Sequence, residues 1–446
     1  MAERVHDLVI DDEYIHSLMQ TGPVEADGIR NILDRAARGE GLGLDEAAAL
    51  LNVSGEPCLD MIYSTAREIK EKAFGKRIGL FAPLYVSNRC INNCLYCGFR
   101  RDNQQADRRT LSIPEIAQQA AFLYGKGHRR LLLVAGEDPS ASSVEYLTAA
   151  VEAVYRETGI RIVHVNAAPM TVEDFSRLKA SGAGVYQCFQ ETYHRKTYER
   201  MHPSGLKHDY HKRLSAMDRA MEGGFEDVGM GALLGLYDYR FEVLSLIAHA
   251  RYLEEHYGAG PHTIAVPRLM PAEGAALIQA PFPVSDRDFR KIVAVYRIAV
   301  PYAGVVVSTR ESADLRDQVI HLGASQISAG SRTDIGGYTH PDQGGGTSQF
   351  SLNDTRSLEE VVRSVLGAGL LPSLCTACYR AGRTGERFRT KAGKGEIRDF
   401  CLTHALSSLT EYLREHAGSA TQKQFEISNL KFEIKQKGGD ENSCQW

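Results

Sequence analysis

The stretch SNRCINNCLYCGFRR (residues 87–101) follows directly on the apolar run GLFAPLYVS (79–87). The run reads as a strand, being short, uncharged and without helical spacing. Cys90, Cys94 and Cys97 therefore leave the strand's carboxyl end in one short loop. In a closed barrel of parallel strands, that end is where reactive side chains gather.

The sequence beyond supplies the rest of such a barrel. Seven more β-rich runs follow: RRLLLVAG (129–136), RIVHVNAA (161–168), GVYQCFQE (184–191), DVGMGALLG (227–235), HTIAVPRL (262–269), GVVVSTR (304–310) and ASQISAGS (324–331). Helical segments such as IPEIAQQAAFLYGKG and ADLRDQVIHLG lie between them. Eight strands each followed by a helix or turn predict an α/β fold, a (βα)8 barrel of the TIM type. Continuous apolar runs suit strands covered on both faces.

Working outward, residues 1–78 read as a helical N-terminal extension, with Asp45 as a helix start. The barrel is expected over 79–335 and a C-terminal module over 336–424. The module opens on the Gly-rich loop RTDIGGYTHPDQGGGTS (332–348). Residues 425–446 are polar and fit no element, so they are expected to form a disordered tail, and Cys444 within them is given no role.

The composition is that of a globular protein, with 43% hydrophobic and 24% charged residues. A formal charge of −4 argues against a nucleic-acid partner. No run approaches 18 apolar residues, and the acidic start MAERVHDLVIDDEYIH is unlike a signal peptide. A cytoplasmic protein without membrane contact is expected. In that compartment the nine cysteines are not disulfides. Six of them fall into two tight groups, the pattern of metal or cluster ligation.

Three thiolates can hold one corner of a [4Fe-4S] cluster and leave an iron open for a ligand. Zinc prefers four tetrahedral ligands, which this loop does not offer. The second group is Cys375, Cys378 and Cys401. It suits a second three-thiolate cluster, or zinc with His404 as fourth ligand. Arg310 and Ser308, at the end of the seventh strand, form a candidate carboxylate clamp, since a guanidinium binds a carboxylate through two parallel hydrogen bonds. The competing reading is a salt bridge between Arg310 and Glu311. SAGSRT (328–333) offers backbone N–H groups for an anion. His194, His202, His208 and His211 read as surface residues, Cys188 as a core thiol and Cys58 as a buried helix residue.

The triplet after the first strand resembles the radical S-adenosylmethionine (SAM) superfamily closely. The resemblance implies SAM on the open iron of the first [4Fe-4S] cluster, with its reductive cleavage to a 5′-deoxyadenosyl radical. It also implies SAM contacts from Tyr96, from Gly136 and Glu137, and from Glu191. Together with CTACYRAGRTGE and Cys401, residues 20–420 resemble the tyrosine-cleaving [FeFe]-hydrogenase maturases of the HydG type. That family implies an auxiliary [4Fe-4S] cluster with a fifth iron, for which the Gly-Pro-His-Thr segment nominates His262 as ligand. It implies cleavage of the tyrosine Cα–Cβ bond to p-cresol and dehydroglycine. Carbon monoxide and cyanide then arise for the hydrogenase H-cluster.

Because dehydroglycine is labile in water, an internal passage between the two cysteine groups is expected. Expected partners are L-tyrosine, a reductant such as ferredoxin or flavodoxin, and other hydrogenase maturases, for a monomer or homodimer. Two alternatives stand beside this reading. One is the tyrosine lyase of thiamine biosynthesis, 2-iminoacetate synthase, which makes dehydroglycine and stops. The other is a non-catalytic iron–sulfur scaffold.

Overall fold

In the computed structural model, which describes residues 9–22, 24–39, 41–339 and 347–428, the eight apolar runs become eight parallel strands. They are β1 (Arg77–Ser87), β2 (Arg130–Ala135), β3 (Ile162–Asn166), β4 (Tyr186–Gln187), β5 (Val228–Gly231), β6 (Thr263–Ala265), β7 (Gly304–Val307) and β8 (Gln326–Ser328). Each pairs with the next, and β1 pairs with both β8 and β2, so the sheet closes. Its register runs Ala82 to Leu131 on one side of β1 and Gly79 to Gln326 on the other. Helices cover the outside, as the parallel order requires. Among the described residues, no helix is long and apolar enough to cross a membrane.

Helix starts follow local chemistry. Ser112, Ser143, Thr171, Ser285, Ser312 and Ser357 each accept a backbone N–H of the first turn through their side chains. Asp45 departs from expectation: Gly43 is the cap of Leu44–Leu51 and donates its N–H to Glu46 (2.7 Å), with Asp45 inside the first turn. A further helix, Asp12–Met19, precedes those expected in the extension.

Some inward positions lack the bulky branched side chains that fill such barrels in layers. Gly79, Gly229, Gly231, Ala265 and Gly304 occupy inward positions. A cavity remains at each end. The carboxyl-end cavity has about 1430 Å³ of atom-free space, part of it open to solvent, and the amino-end cavity about 450 Å³.

The C-terminal module lies across the amino ends of the strands. A ninth strand, β9 (Leu371–Ser373), absent from the sequence reading, pairs in parallel with Arg77–Gly79 and extends β1 below the barrel floor. The long helix Glu396–Glu415 packs on β9 and on the N-terminal helix Glu56–Phe74. From β9 onward the module therefore plugs the floor, while Gln349 and Phe350 near its start line the mouth cavity. The helix Ser419–Ile427 runs into the segment expected to be a tail. Residues 340–346 of the Gly-rich loop, and the tail from 429 with Cys444, lie outside the described residues.

Candidate functional site

At the mouth, Cys90, Cys94 and Cys97 line the larger cavity together with Tyr96, Gly136, Glu137, Glu191, Ser308 and Arg310. Residues that the sequence scatters over 221 positions thus share one wall. The cysteine loop is clamped from both sides. Leu95 donates its N–H to Met201 (3.0 Å) and accepts one from Leu277 (2.8 Å). Gly136 is glycine for a steric reason: a Cβ there would lie 2.4 Å from the Arg89 carbonyl oxygen and 3.3 Å from the Cys90 side chain. The neighbouring Glu137 accepts the Ile91 N–H at its carbonyl (2.9 Å) and Asn92 Nδ2 at its carboxylate (2.6 Å). The second strand's end therefore fixes the loop that carries the thiols.

Burial raises all three of these thiols, Cys94 to about 11 and Cys97 to about 12. Ligation must expel their protons, and a cluster's positive irons supply the drive. Glu191 stands on the cavity wall with φ +70, a left-handed conformation uncommon outside glycine and frequent at functional sites. Burial alone would raise its carboxyl. Lys207, 2.7 Å away, and Arg213, 3.8 Å away, outweigh that and hold it below the ordinary value. A fixed carboxylate and two cations beside three thiols form a polar wall suited to a zwitterionic ligand such as SAM. Tyr96 donates its hydroxyl to His202 Nε2 (2.9 Å), and the other ring nitrogen of His202 donates to the Tyr198 carbonyl (2.8 Å). His202, expected at the surface, is instead completely buried and orients Tyr96.

Arg310 has no carboxylate partner among the described residues. Its guanidinium lies 3.3 Å from the centre of the Phe350 ring and reaches only the Arg268 carbonyl, at 3.4 Å. Glu311, the expected competitor, is taken by Arg268. Ser308 Oγ accepts the Arg310 N–H (3.4 Å), so the two residues form one turn at the cavity. In SAGSRT, Ser328 and Thr333 line the same cavity, while the Arg332 N–H is spent on the Tyr338 hydroxyl.

At the floor, Cys375 and Cys378 line the smaller cavity with Arg77, Arg130, His262 and Tyr379. Cys401 lies 3.9 Å from Cys378, sulfur to sulfur. Their mutual hydrogen bond pulls one thiol of the pair down, Cys378 to about 5; burial opposes this, and Arg77 and Arg383 add to it. Arg77 Nε has no hydrogen-bond partner among the described residues. Cationic side chains around thiols of which one ionises readily fit an anionic cluster. No three Cys, His, Asp or Glu among the described residues converge on a single-ion point, and His404 lies with Cys375 on a separate small recess. His262 is held between Asp227 Oδ1 (3.2 Å from Nδ1) and the Tyr379 hydroxyl (3.0 Å from Nε2). It reaches the same cavity as the second trio although it precedes the sixth strand.

The expected passage is not a through-going void. The two cavities share no lining residue. Glutamine and arginine side chains fill the axis between them: Gln187 lies 2.6 Å from where a Gly229 Cβ would sit, Gln326 lies close above Gly304, and Arg130 donates to Gln326 (3.1 Å). Small backbone positions left the space, and flexible polar side chains occupy it.

Sequence reading missed Lys207 and Arg213 at the mouth and Arg77 and Arg130 at the floor. The first two sit in the polar stretch taken for surface; the signal was the carboxylate of Glu191, which needed cations. The other two begin strands, where a charge reads as a solvated end.

Comparison with known proteins places these features. Residues 84–248 match the Radical SAM superfamily and residues 265–371 the Biotin and Thiamin Synthesis associated domain. The chain is 32% identical to 2-iminoacetate synthase of Escherichia coli K12 over 358 residues, 80% of this chain and 93% of that one. Among solved structures, HydG, a maturase of the [FeFe]-hydrogenase, matches at 45% identity and a TM-score of 0.91, over 97% of this chain and 94% of that one. HydG from Carboxydothermus hydrogenoformans matches at 40% identity and 0.83, over 98% and 96%.

Proposed function

From the premise that this chain belongs to the radical SAM superfamily and, within it, to the HydG family of [FeFe]-hydrogenase maturases, we propose that it is a tyrosine lyase with a different task at each end of its barrel. The mouth cleaves the Cα–Cβ bond of L-tyrosine to p-cresol and dehydroglycine. The floor converts dehydroglycine to carbon monoxide and cyanide for the H-cluster. The observation that supports this most is the pairing of two cysteine trios on two cavities of one barrel.

When bound through Cys90, Cys94 and Cys97, a [4Fe-4S] cluster carrying SAM supplies one electron and a 5′-deoxyadenosyl radical. The chain's own residues do the rest. Tyr96, Gly136, Glu137 and Glu191 border the SAM site, with Lys207 and Arg213 fixing the Glu191 carboxylate. Arg310, with Ser308, binds the tyrosine carboxylate and sets the amino group toward the cysteine wall. Phe350 holds the guanidinium plane from the other side. Dehydroglycine then crosses the Gln187–Gln326 layer to the floor. There Cys375, Cys378 and Cys401 would hold a second cluster and His262 a further iron.

A lyase that stopped at dehydroglycine, as 2-iminoacetate synthase does by its name, would leave the second trio without a use. The test is an anaerobic reaction of the reconstituted protein with SAM, dithionite and L-tyrosine. Stoichiometric 5′-deoxyadenosine and p-cresol are expected. Deoxyadenosine without p-cresol would discard tyrosine, and no deoxyadenosine with an intact first cluster would discard the radical chemistry.

A further inference from the structure

The floor cavity holds a cation that the mechanism leaves unused. Arg130 opens β2 and lines this cavity while only 5% exposed. A guanidinium carries five N–H donors. Arg130 directs Nη1 to Gln326 Oε1 (3.1 Å) and Nη2 to the Cys375 carbonyl (3.0 Å). The remaining N–H groups, that of the buried Nε included, have no acceptor among the described residues. No Asp or Glu lines the cavity, and Arg130 has no ion pair among the described residues. Arg77, the other guanidinium there, has the thiols of Cys401, Cys378 and Cys375 as its electrostatic partners. Arg130 lies instead over the Tyr379 ring, 5.7 Å from its centre, and holds Gln326 of the layer between the cavities. It stands where that layer meets the floor.

A buried cation without an anion is costly to the fold unless a ligand brings the anion. The donors left on Arg130 lie in one plane, the arrangement that takes a carboxylate. We propose that Arg130 is the floor's carboxylate receptor, which takes a two-carbon α-imino acid from the Gln187–Gln326 layer and holds it beside Cys375 and Tyr379. The ligand class follows from the free donors, from a cavity wall without an acid, and from the polar layer that a small planar acid would cross. The inference deepens, and rests on, the reading of the floor as the place where dehydroglycine is consumed. Arg130 makes and breaks no covalent bond; it is a binding residue. An imino acid that is not held meets water, which hydrolyses its C=N bond. One water is consumed, ammonia leaves and glyoxylate remains, with no change of oxidation state.

The probe is oxamate, a planar two-carbon carboxylate without a hydrolysable imine. Its binding to the reconstituted protein is measured by equilibrium dialysis without SAM or tyrosine. R310M is the background, so that the mouth guanidinium takes no part. R310M should bind oxamate, and R310M/R130Q should bind it about tenfold or more weakly, with iron and sulfide retained at the floor. R310M/R130K, which keeps the charge without the planar fork, should fall between them. In turnover, R130Q should release glyoxylate at the expense of carbon monoxide, whose ratio to p-cresol falls about tenfold or more. Equal oxamate affinity in R310M and R310M/R130Q, or no binding to R310M, would overturn the proposal. If R130Q loses the floor iron, the comparison of R310M with R310M/R130K decides in the same way. Absence of p-cresol from the unaltered protein would sink the tyrosine reading alone, since the binding comparison needs no turnover.

Discussion

A guanidinium that faces a cavity with no acid of its own is suited to receive a carboxylate, the role proposed for Arg310. Lysine in its place keeps the charge and loses the planar fork. R310K is expected to raise the apparent KM for tyrosine roughly ten- to a hundredfold, in line with about 1.5–3 kcal/mol for a hydrogen bond to a charged group. SAM cleavage should persist uncoupled from p-cresol, which the two products assayed together would reveal. Gly136 tests the wall opposite. G136A pushes a methyl group against the Arg89 carbonyl and so displaces the cysteine loop. Iron and sulfide should be lost from the mouth and kept at the floor, as read by Mössbauer spectra of the variant. The cysteines and Arg310 were legible in the sequence because spacing and strand ends announce them. His202 and Lys207 were not, since a polar stretch gives no sign of which side chains turn inward.

At the scale of elements, the helix Glu56–Phe74 joins the extension to the barrel and carries Lys70 almost fully buried. Burial, with Arg297 adding, lowers its ammonium to about 7. The unfolded chain binds this proton below about 10.5, whereas the folded one resists it until about 7. Stability from this position is therefore fully present above the unfolded value and is lost as pH falls toward 7. K70M removes that loss. It should raise stability by about 1–4 kcal/mol at neutral pH and below, with the gain vanishing toward pH 10.5, as thermal melts across that range would show. The strands themselves were legible, since each apolar run became a strand within a few residues. β9 was not: three residues, Leu371–Ser373, carry too little pattern to mark a strand, and only the edge of β1 below the floor makes them one. The helix Ser419–Ile427 escaped because its polar face hides the turns.

Over the whole molecule, one closed sheet separates two cysteine trios by its own height. The C-terminal module plugs the floor because β9 pairs with Arg77–Gly79, a placement no motif could announce. Between the ends stands a layer of Gln187, Gln326 and Arg130 in the room left by Gly229 and Gly304. The arrangement predicts that the two tasks come apart when one end is damaged. The most direct measurement is therefore p-cresol and carbon monoxide quantified in the same anaerobic reaction for the unaltered protein and for the triple variant C375S/C378S/C401S. The variant is expected still to form p-cresol within about threefold of the original rate, a barrier change below roughly 1 kcal/mol, while carbon monoxide disappears. Carbon monoxide at an undiminished ratio to p-cresol in the variant would contradict the assignment of its formation to the floor.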